Sequence, residues 1–104
     1  MGRTSVAAFK PKPGKDAELL AVIETRLPLL RKLKLATDRD SILMRSRDGA
    51  IIEISEWGDD AAIERAHKTP EVLEMWGRFS ACCDFVCLNA LPETADMFAT
   101  FDAI

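Results

Sequence analysis

The sequence predicts an α+β domain whose elements follow the order strand, helix, strand, strand, helix, strand. Three observations predict this order: apolar runs near both ends of the chain, a hairpin signal at Asp48-Gly49, and two stretches with helical apolar spacing. The order is that of the ferredoxin-like βαββαβ fold, in which a four-stranded antiparallel sheet is covered by helices on one face. The length of 104 residues suits one such domain.

The first strand and the first helix are predicted from the N-terminal third of the chain. The run 4–10 (TSVAAFK) is apolar and ends at the breaker cluster PKPG. A helix begins near Gly14 or Lys15, since acidic residues follow in its first turn and apolar residues recur at helical spacing: Leu19, Leu20, Ile23, Leu27 and Leu30. Pro28 predicts a kink or a break, because proline lacks the N–H donor that the helix needs.

A central hairpin is predicted from the strand-like runs 41–47 and 50–57, which flank Asp48-Gly49. This dipeptide favours a two-residue turn with positive φ angles, which would pair Arg47 with Ala50. The register then decides which side chains share a face. One face would carry Leu43, Arg45, Ile52, Ile54 and Glu56, and the other Ile42, Met44, Ser46, Ile51, Glu53, Ser55 and Trp57.

The stretch 57–88 predicts a helical pair and the last strand. Asp59 or Asp60 is a predicted N-cap for a helix that reaches about Lys68. Thr69 followed by Pro70 predicts a second helix start. At the first helical position the N–H has no partner within the helix, so the N–H that proline lacks costs no hydrogen bond there. The buried face of this second helix would carry Val72, Met75, Trp76, Phe79 and Cys83. The last strand is predicted over residues 84–90 and stops at Pro92.

Residues 1–92 form the predicted domain, and residues 93–104 form a C-terminal tail. Met97, Phe98, Phe101 and Ile104 recur at roughly helical spacing, so we expect the tail to dock on its own or on a partner subunit. The predicted strands carry apolar residues on both faces of the sheet, whereas the helices cover one face. Because a large exposed apolar face is unusual on a monomer, the sequence predicts a two-fold homodimer with its sheets face to face.

Composition and charge exclude several classes of function. A net charge of -3, a pI near 5.1 and the lack of a basic run with interleaved aromatics argue against nucleic-acid binding. The sequence shows no membrane-spanning or signal-peptide run, so we expect a cytoplasmic protein. The three cysteines lack metal-ligand spacing and are interpreted as packed, reduced thiols. No cofactor is predicted, since no phosphate-binding loop is present.

The run from Trp57 to Cys83 reads W-x-x-x-x-A-I-x-x-A-H-x-x-P-x-V-x-x-x-W-x-x-F-x-x-x-C, and Pro13-Gly14-Lys15 opens the first helix. This pattern resembles the antibiotic biosynthesis monooxygenase-like family of dimeric α/β barrels over roughly residues 4 to 92. The resemblance implies a dimer, and the family includes cofactor-free monooxygenases of phenolic or quinol substrates, haem-degrading members and proteins of unknown activity. Many members have a histidine at the position of Ala66, whereas this chain has His67.

Four side chains are candidates for a site, and each has a structural alternative. His67 is a candidate base for a phenol or quinol, because histidine is the side chain that most often serves as a general base, or else it caps the end of its helix. Trp57 and Trp76 either line a cavity for an aromatic substrate or pack in the core. Arg45 either holds an oxyanion of the ligand or, like Glu53 and Glu56, finds a charged partner at the dimer interface or the barrel rim.

Two functions follow from these alternatives. The first is a cofactor-free monooxygenase acting on a small aromatic substrate. A substrate that becomes an electron-rich anion can reduce oxygen by itself, so the protein supplies a base, positioning and a dry pocket. The second is a dimeric small-molecule-binding or stress-associated protein without turnover, in which the same residues belong to the core and the interface.

Overall fold

A computed structural model describes residues 2–104. The chain forms β1 (Arg3–Pro11), α1 (Asp16–Lys32), β2 (Ile42–Arg45), β3 (Ile51–Trp57), α2 (Asp60–Ala66), α3 (Pro70–Cys82), β4 (Cys83–Val86) and β5 (Asp102–Ala103). The strands lie in the order β4-β1-β3-β2-β5, and each pairs antiparallel with its neighbours. The predicted α+β, ferredoxin-like class is confirmed. The short edge strand β5 adds a fifth strand to the four that were predicted.

The main core lies between the helices and one face of the sheet. β1 contributes Phe9 to this face, and Phe9 pairs with Ile51 of β3. The apolar stripe of α3 packs on them and consists of Val72, Met75, Phe79 and Cys82. The rings of Phe9 and Phe79 stack with their centroids 4.9 Å apart. The helical spacing read from the sequence therefore identifies most of the buried side of α3. Trp76 is only half-buried, and Cys82 takes the place predicted for Cys83, which begins β4.

The hairpin register differs from the prediction by one residue. The Ser46 N–H donates to the Ala50 carbonyl at 2.8 Å, and Arg45 pairs with Ile51. The loop therefore holds residues 47–49, with Gly49 at a φ of +95°. A three-residue loop that ends in a left-handed glycine is the common alternative to the two-residue turn. Because a one-residue shift reverses the faces of a strand, the predicted grouping is wrong. Leu43 and Arg45 share their face with Glu53.

Pro28 does not break α1, which runs through 17 residues to Lys32. Pro28 is exposed, whereas Leu27 and Leu30 on either side of it are buried. The hydrogen bond that proline cannot make concerns the carbonyl of Glu24, an exposed residue that water can reach. Packing of the apolar stripe on the sheet therefore holds the last turn. Among residues 2–104, no helix has the length and hydropathy to cross a membrane.

The caps of the helical pair follow the sequence prediction closely. The Asp59 carboxylate accepts the Ala62 N–H at 2.7 Å and so caps α2. Thr69 occupies the N-cap position of α3 and Pro70 its first helical position. The Thr69 hydroxyl, however, donates to the Arg65 carbonyl at 2.7 Å. Its side chain thus closes α2, while its backbone starts α3.

The C-terminal tail lies on the face of the sheet that the helices leave open. The predicted last strand ends early, at Val86, and two 3-10 turns follow it at Leu88–Ala90 and Pro92–Ala95. Residues 96–101 then lead to the short strand β5, which pairs with β2. Leu91 and Phe101 pack with a second, smaller apolar cluster that consists of Ala8, Ala50 and Ile52. The tail therefore covers part of this helix-free face.

Candidate functional site

A pair of opposite charges is buried between α1 and the sheet. Arg26 is 6% exposed and Glu53 is 1% exposed. Arg26 Nη1 donates to Glu53 Oε1 at 3.2 Å and to Ser55 Oγ at 2.9 Å. Charged side chains are rarely buried to this degree unless a partner compensates them. We refer to Arg26, Glu53, Ser55 and Trp57 as the charged cluster.

Helical and strand periodicity bring the charged cluster together. Arg26 lies three residues after Ile23 and four before Leu30, so it projects from the buried stripe of α1 toward the sheet. On β3, alternate residues point to the same face, and Glu53, Ser55 and Trp57 all face the helices. The register observed for the hairpin, rather than the predicted one, puts Leu43 opposite Glu53 on this face.

Trp57 closes one side of the charged cluster at the end of β3. The Arg26 guanidinium lies 5.4 Å from the centroid of its ring, within the range of a cation–π contact. The indole Nε1 donates to Ser5 Oγ at 3.1 Å, which satisfies its one polar group. Trp57 is 6% exposed and belongs to the main core. It is therefore both a core residue and a wall of the charged cluster.

Burial changes the proton affinity of both charged groups. Burial raises the pKa of the Glu53 carboxyl above its ordinary value of 4.5, and the Arg26 charge and a hydrogen bond from Ser41 oppose this shift only in part. Burial likewise lowers the pKa of the Arg26 guanidinium, although the Glu53 charge acts against it. A carboxylate with a raised pKa is a better proton acceptor, and the neighbouring cation can stabilise an anion.

His67 lies outside the charged cluster, at the C-cap of α2. The side chain is exposed, and its Nδ1 is 2.8 Å from the Ile63 carbonyl, to which a protonated Nδ1 donates. Its ring meets Trp76 edge to face at a centroid distance of 5.0 Å. Ala66, one position earlier, is fully buried. One residue turns a helical side chain by about 100°, so His67 points away from the core.

The other candidates occupy two further places. Trp76 is half-buried on α3, beside His67. Arg45 pairs with Asp16 at the start of α1, with Nη1–Oδ2 at 2.7 Å and Nη2–Oδ1 at 3.1 Å. The four predicted site residues therefore do not converge: Trp57 lies in the charged cluster, His67 and Trp76 contact each other, and Arg45 contacts Asp16.

Sequence reasoning missed Arg26 and treated Glu53 only as a charge in need of a partner. A signal was present, because Arg26 interrupts the apolar spacing of α1 at a position that must face the sheet. Because a buried charge needs a partner, a cation at this position implies a carboxylate on the strand that faces the helix. The partner could not be identified, since no local pattern shows which face of the sheet α1 covers.

A pocket of about 200 Å³ lies between the tail and the hairpin loop. Its lining consists of Arg45, Arg47, Glu93, Thr100, Phe101 and Asp102. The buried Glu93 carboxylate accepts hydrogen bonds from Ser46 Oγ at 2.6 Å and from the Arg47 N–H at 2.8 Å. Burial alone would raise the pKa of Glu93, but these hydrogen bonds outweigh it and lower that pKa. Glu93 therefore fastens the tail to the hairpin.

The cysteines divide into buried and exposed thiols. Cys82 and Cys83 are buried at the end of α3, whereas Cys87 is exposed after β4. Burial raises the pKa of the Cys83 thiol to about 11. Within residues 2–104, the side chains of His, Cys, Asp and Glu form no group of three that could hold a metal ion.

We expect Cys87, the exposed thiol, to react quickly with a disulfide reagent in the folded protein, and the buried Cys82 and Cys83 to react slowly. At about pH 8 an exposed thiol ionises appreciably, whereas a thiol with a raised pKa stays protonated and shielded. Cys87→Ser should abolish the fast reaction, and all thiols should react after unfolding in denaturant. Fast reaction of the Cys87→Ser protein would contradict the burial of Cys82 and Cys83.

Neither a protein-family model nor a curated protein matches this sequence. Solved structures do match. SnoaB, a cofactor-independent oxygenase from Streptomyces nogalater, is 25% identical and superposes with a TM-score of 0.65, over 82% of this chain and 86% of SnoaB. Rv0793 from Mycobacterium tuberculosis is 17% identical with a TM-score of 0.66, over 83% of this chain and 89% of Rv0793.

A conserved protein from Methanosarcina mazei Go1 also shares the fold. It is 19% identical and has a TM-score of 0.60, over 81% of this chain and 83% of its own. Similarities at such identities establish the fold and leave the activity open. The resemblance inferred from the sequence is confirmed at this level. This chain has the fold of the antibiotic biosynthesis monooxygenase-like proteins.

Proposed function

We propose that this protein is a cofactor-independent monooxygenase that acts on a small phenolic or quinol substrate at the charged cluster. The observation that carries the proposal is a buried carboxylate of raised pKa, Glu53, paired with Arg26 over the ring of Trp57. The fold shared with the oxygenase SnoaB supports the same chemistry. A carboxylate, a cation and an indole are the groups that this reaction needs from a protein without a cofactor.

The proposed reaction begins with a proton transfer. The substrate hydroxyl loses its proton to the Glu53 carboxylate, which becomes neutral, and the substrate becomes an anion. Arg26 then pairs with the substrate anion in place of Glu53, so the buried charge stays balanced. The anion supplies the electrons that reduce oxygen. One oxygen atom enters the product. The other takes up the proton held by Glu53 and a second proton from the substrate and leaves as water, which restores the Glu53 carboxylate.

Two roles predicted from the sequence remain proposals. His67 is the second candidate base, since its Nε2 has no partner among the described hydrogen bonds and its ring adjoins Trp76. Binding without turnover is the second candidate function. This second function is favoured because Arg26 donates hydrogen bonds to both Glu53 and Ser55, so these side chains need no ligand to complete their hydrogen bonds.

Oxygen consumption with a panel of hydroquinones and polyphenols tests the proposal. Glu53→Gln should lower kcat at least about tenfold, because an amide cannot accept the substrate proton. Glu56→Gln is the matched control, as Glu56 lies on the same strand with its side chain on the opposite face. Full activity of Glu53→Gln would contradict the proposed base. Loss of activity in His67→Ala alone would assign the base to His67, and a parent that consumes no oxygen would favour binding without turnover.

The proposed assembly is a two-fold homodimer through the helix-free face. The support is an apolar surface that the tail covers incompletely: Val6 is 43% exposed and Ile42 is 58% exposed. A second copy would remove these side chains from water, which is the usual reason for such a surface. Sedimentation measurements across concentration test this assembly independently of any activity.

A further inference from the structure

The pocket between the tail and the hairpin loop shares no residue with the charged cluster. Its volume of about 200 Å³ equals the share of roughly seven molecules in liquid water, so it suits a ligand of fewer than about ten non-hydrogen atoms. Strand pairing brings charged side chains together there. Asp102 pairs with Arg45, and the same antiparallel register, continued along the chain, puts Thr100 beside Arg47. The walls of the pocket therefore come from the tail and from the hairpin.

The Arg47 guanidinium is available to a ligand. Among residues 2–104 its one side-chain contact is with Asp96, where Nη1 lies 3.5 Å from Oδ2 and the two side chains are 60% and 48% exposed. An ion pair that is this long and this exposed to water contributes little to stability. A guanidinium has several N–H donors and can bind a carboxylate through two of them at once. Arg47 can therefore bind the carboxylate of a ligand without loss of a stabilising contact.

Arg45, the other cation of the pocket, is already engaged. Both of its terminal nitrogens donate to the Asp16 carboxylate, at 2.7 and 3.1 Å. The hydrogen bond with Asp16 is the main reason that the pKa of Arg45 is raised, and the charge of Asp102 contributes less to this shift. Within residues 2–104, neither Arg45 nor Arg47 forms an ion pair with Asp102. The exposed Asp102 carboxylate is therefore open to a cationic group of a ligand.

The charges of the pocket fit a ligand that carries one positive and one negative group. Because Asp16 neutralises Arg45, the lining retains the cation of Arg47 and the carboxylates of Glu93 and Asp102. An anion alone would meet both carboxylates, and a cation alone would leave Arg47 unmatched. The half-buried ring of Phe101 adds an apolar wall.

We propose that this pocket binds a small zwitterion, namely a free α-amino acid with an apolar side chain. Arg47 binds the carboxylate of the amino acid, Asp102 binds its ammonium group, and Phe101 packs against its side chain. The ligand contacts both the tail and the hairpin, so its binding should also raise the Tm of the protein. This inference goes beyond the proposed oxygenase reaction and uses none of its residues.

Isothermal titration calorimetry with leucine and two matched analogues tests the proposal. Isocaproate is leucine without its ammonium group, and isoamylamine is leucine without its carboxylate. We expect leucine to bind, and each analogue to bind at least about tenfold more weakly, because each leaves one charged side chain of the pocket without a partner. The proposal would be overturned by an analogue that binds as tightly as leucine. It would also be overturned if neither leucine nor the smaller alanine bound at up to about 10 mM.

Two substitutions test the assigned contacts. Arg47→Gln and Asp102→Asn should each raise the Kd of leucine at least about tenfold. The Tm of the ligand-free protein should not change, because both side chains are exposed. Arg78→Gln and Asp38→Asn are the matched controls, since both residues are exposed and lie outside the pocket, and both variants should bind leucine like the parent. Unchanged affinity in Arg47→Gln or in Asp102→Asn would overturn the site. The titration needs no turnover, so that result would leave the proposed oxygenase reaction to be decided by oxygen consumption.

Discussion

Arg26→Met is expected to lower the free energy of unfolding by about 3–5 kcal/mol at neutral pH, because it removes one partner of a buried ion pair. Arg26 supplies the hydrogen bond and the charge that compensate Glu53, which is 1% exposed. Without Arg26, the carboxylate must either stay charged without a counter-ion or take up a proton at neutral pH. Both states cost free energy. Methionine has a similar length, so the loss of volume stays small.

The loss of stability in Arg26→Met should grow as pH rises. The pKa of Glu53 is already raised in the folded parent, and loss of the Arg26 charge raises it further. An acid with a raised folded pKa contributes stability that is fully present below its unfolded pKa and is lost as pH rises through the folded pKa. The gap between parent and Arg26→Met should therefore widen from about pH 4 toward pH 8.

Urea denaturation of three variants measures this effect. The double variant Arg26→Met with Glu53→Gln has no unpaired carboxylate at position 53. It should recover at least half of the free energy of unfolding that Arg26→Met loses. Arg78→Met, at an exposed position on α3, is the control and should change stability by less than about 0.5 kcal/mol. A double variant no more stable than Arg26→Met alone would show that lost packing, rather than an unpaired charge, causes the defect.

The parts of the fold that the sequence predicts depend on local physics. An aspartate at an N-cap and a proline in the first turn identify helix starts from a few neighbouring residues, and both Asp59 and Pro70 occupy the predicted positions. The hairpin register is different, because Asp48-Gly49 is compatible with turns of two or three residues. The choice decides which residues of β2 face the helices, and it depends on packing across the sheet that no local pattern specifies.

The candidate site was harder to predict for the same reason. Its parts come from the middle of a helix and from alternate positions of a strand. Alternation along β3 groups Glu53 with Trp57, but no local pattern shows that α1 packs on this face and brings Arg26 to Glu53. The rule that charged residues lie in water also hides Arg26 within an apolar stripe. His67 was conspicuous as the one histidine, yet its side chain is exposed beside Trp76, away from the charged cluster.

Phe79→Ala is expected to lower the free energy of unfolding by about 3–5 kcal/mol, as large-to-small changes of buried aromatic residues do. Phe79 is 1% exposed and joins α3 to the sheet through Phe9, whose ring centroid is 4.9 Å away. Calorimetry should show a fall in Tm of more than about 12 °C, since 1 kcal/mol corresponds to about 4–8 °C for a domain of this size.

Phe85→Ala is the matched control for Phe79→Ala. Phe85 belongs to the same aromatic group, with its centroid 6.1 Å from Phe79 and 5.7 Å from Phe9, but it is 55% exposed on the edge strand β4. Phe85→Ala should lower the free energy of unfolding by less than half as much as Phe79→Ala, because the Phe85 ring keeps much of its contact with water in the folded state. An equal or larger loss for Phe85→Ala would mean that something covers this edge of the sheet in solution. Since the proposed dimer uses the helix-free face, that result would point to a different interface.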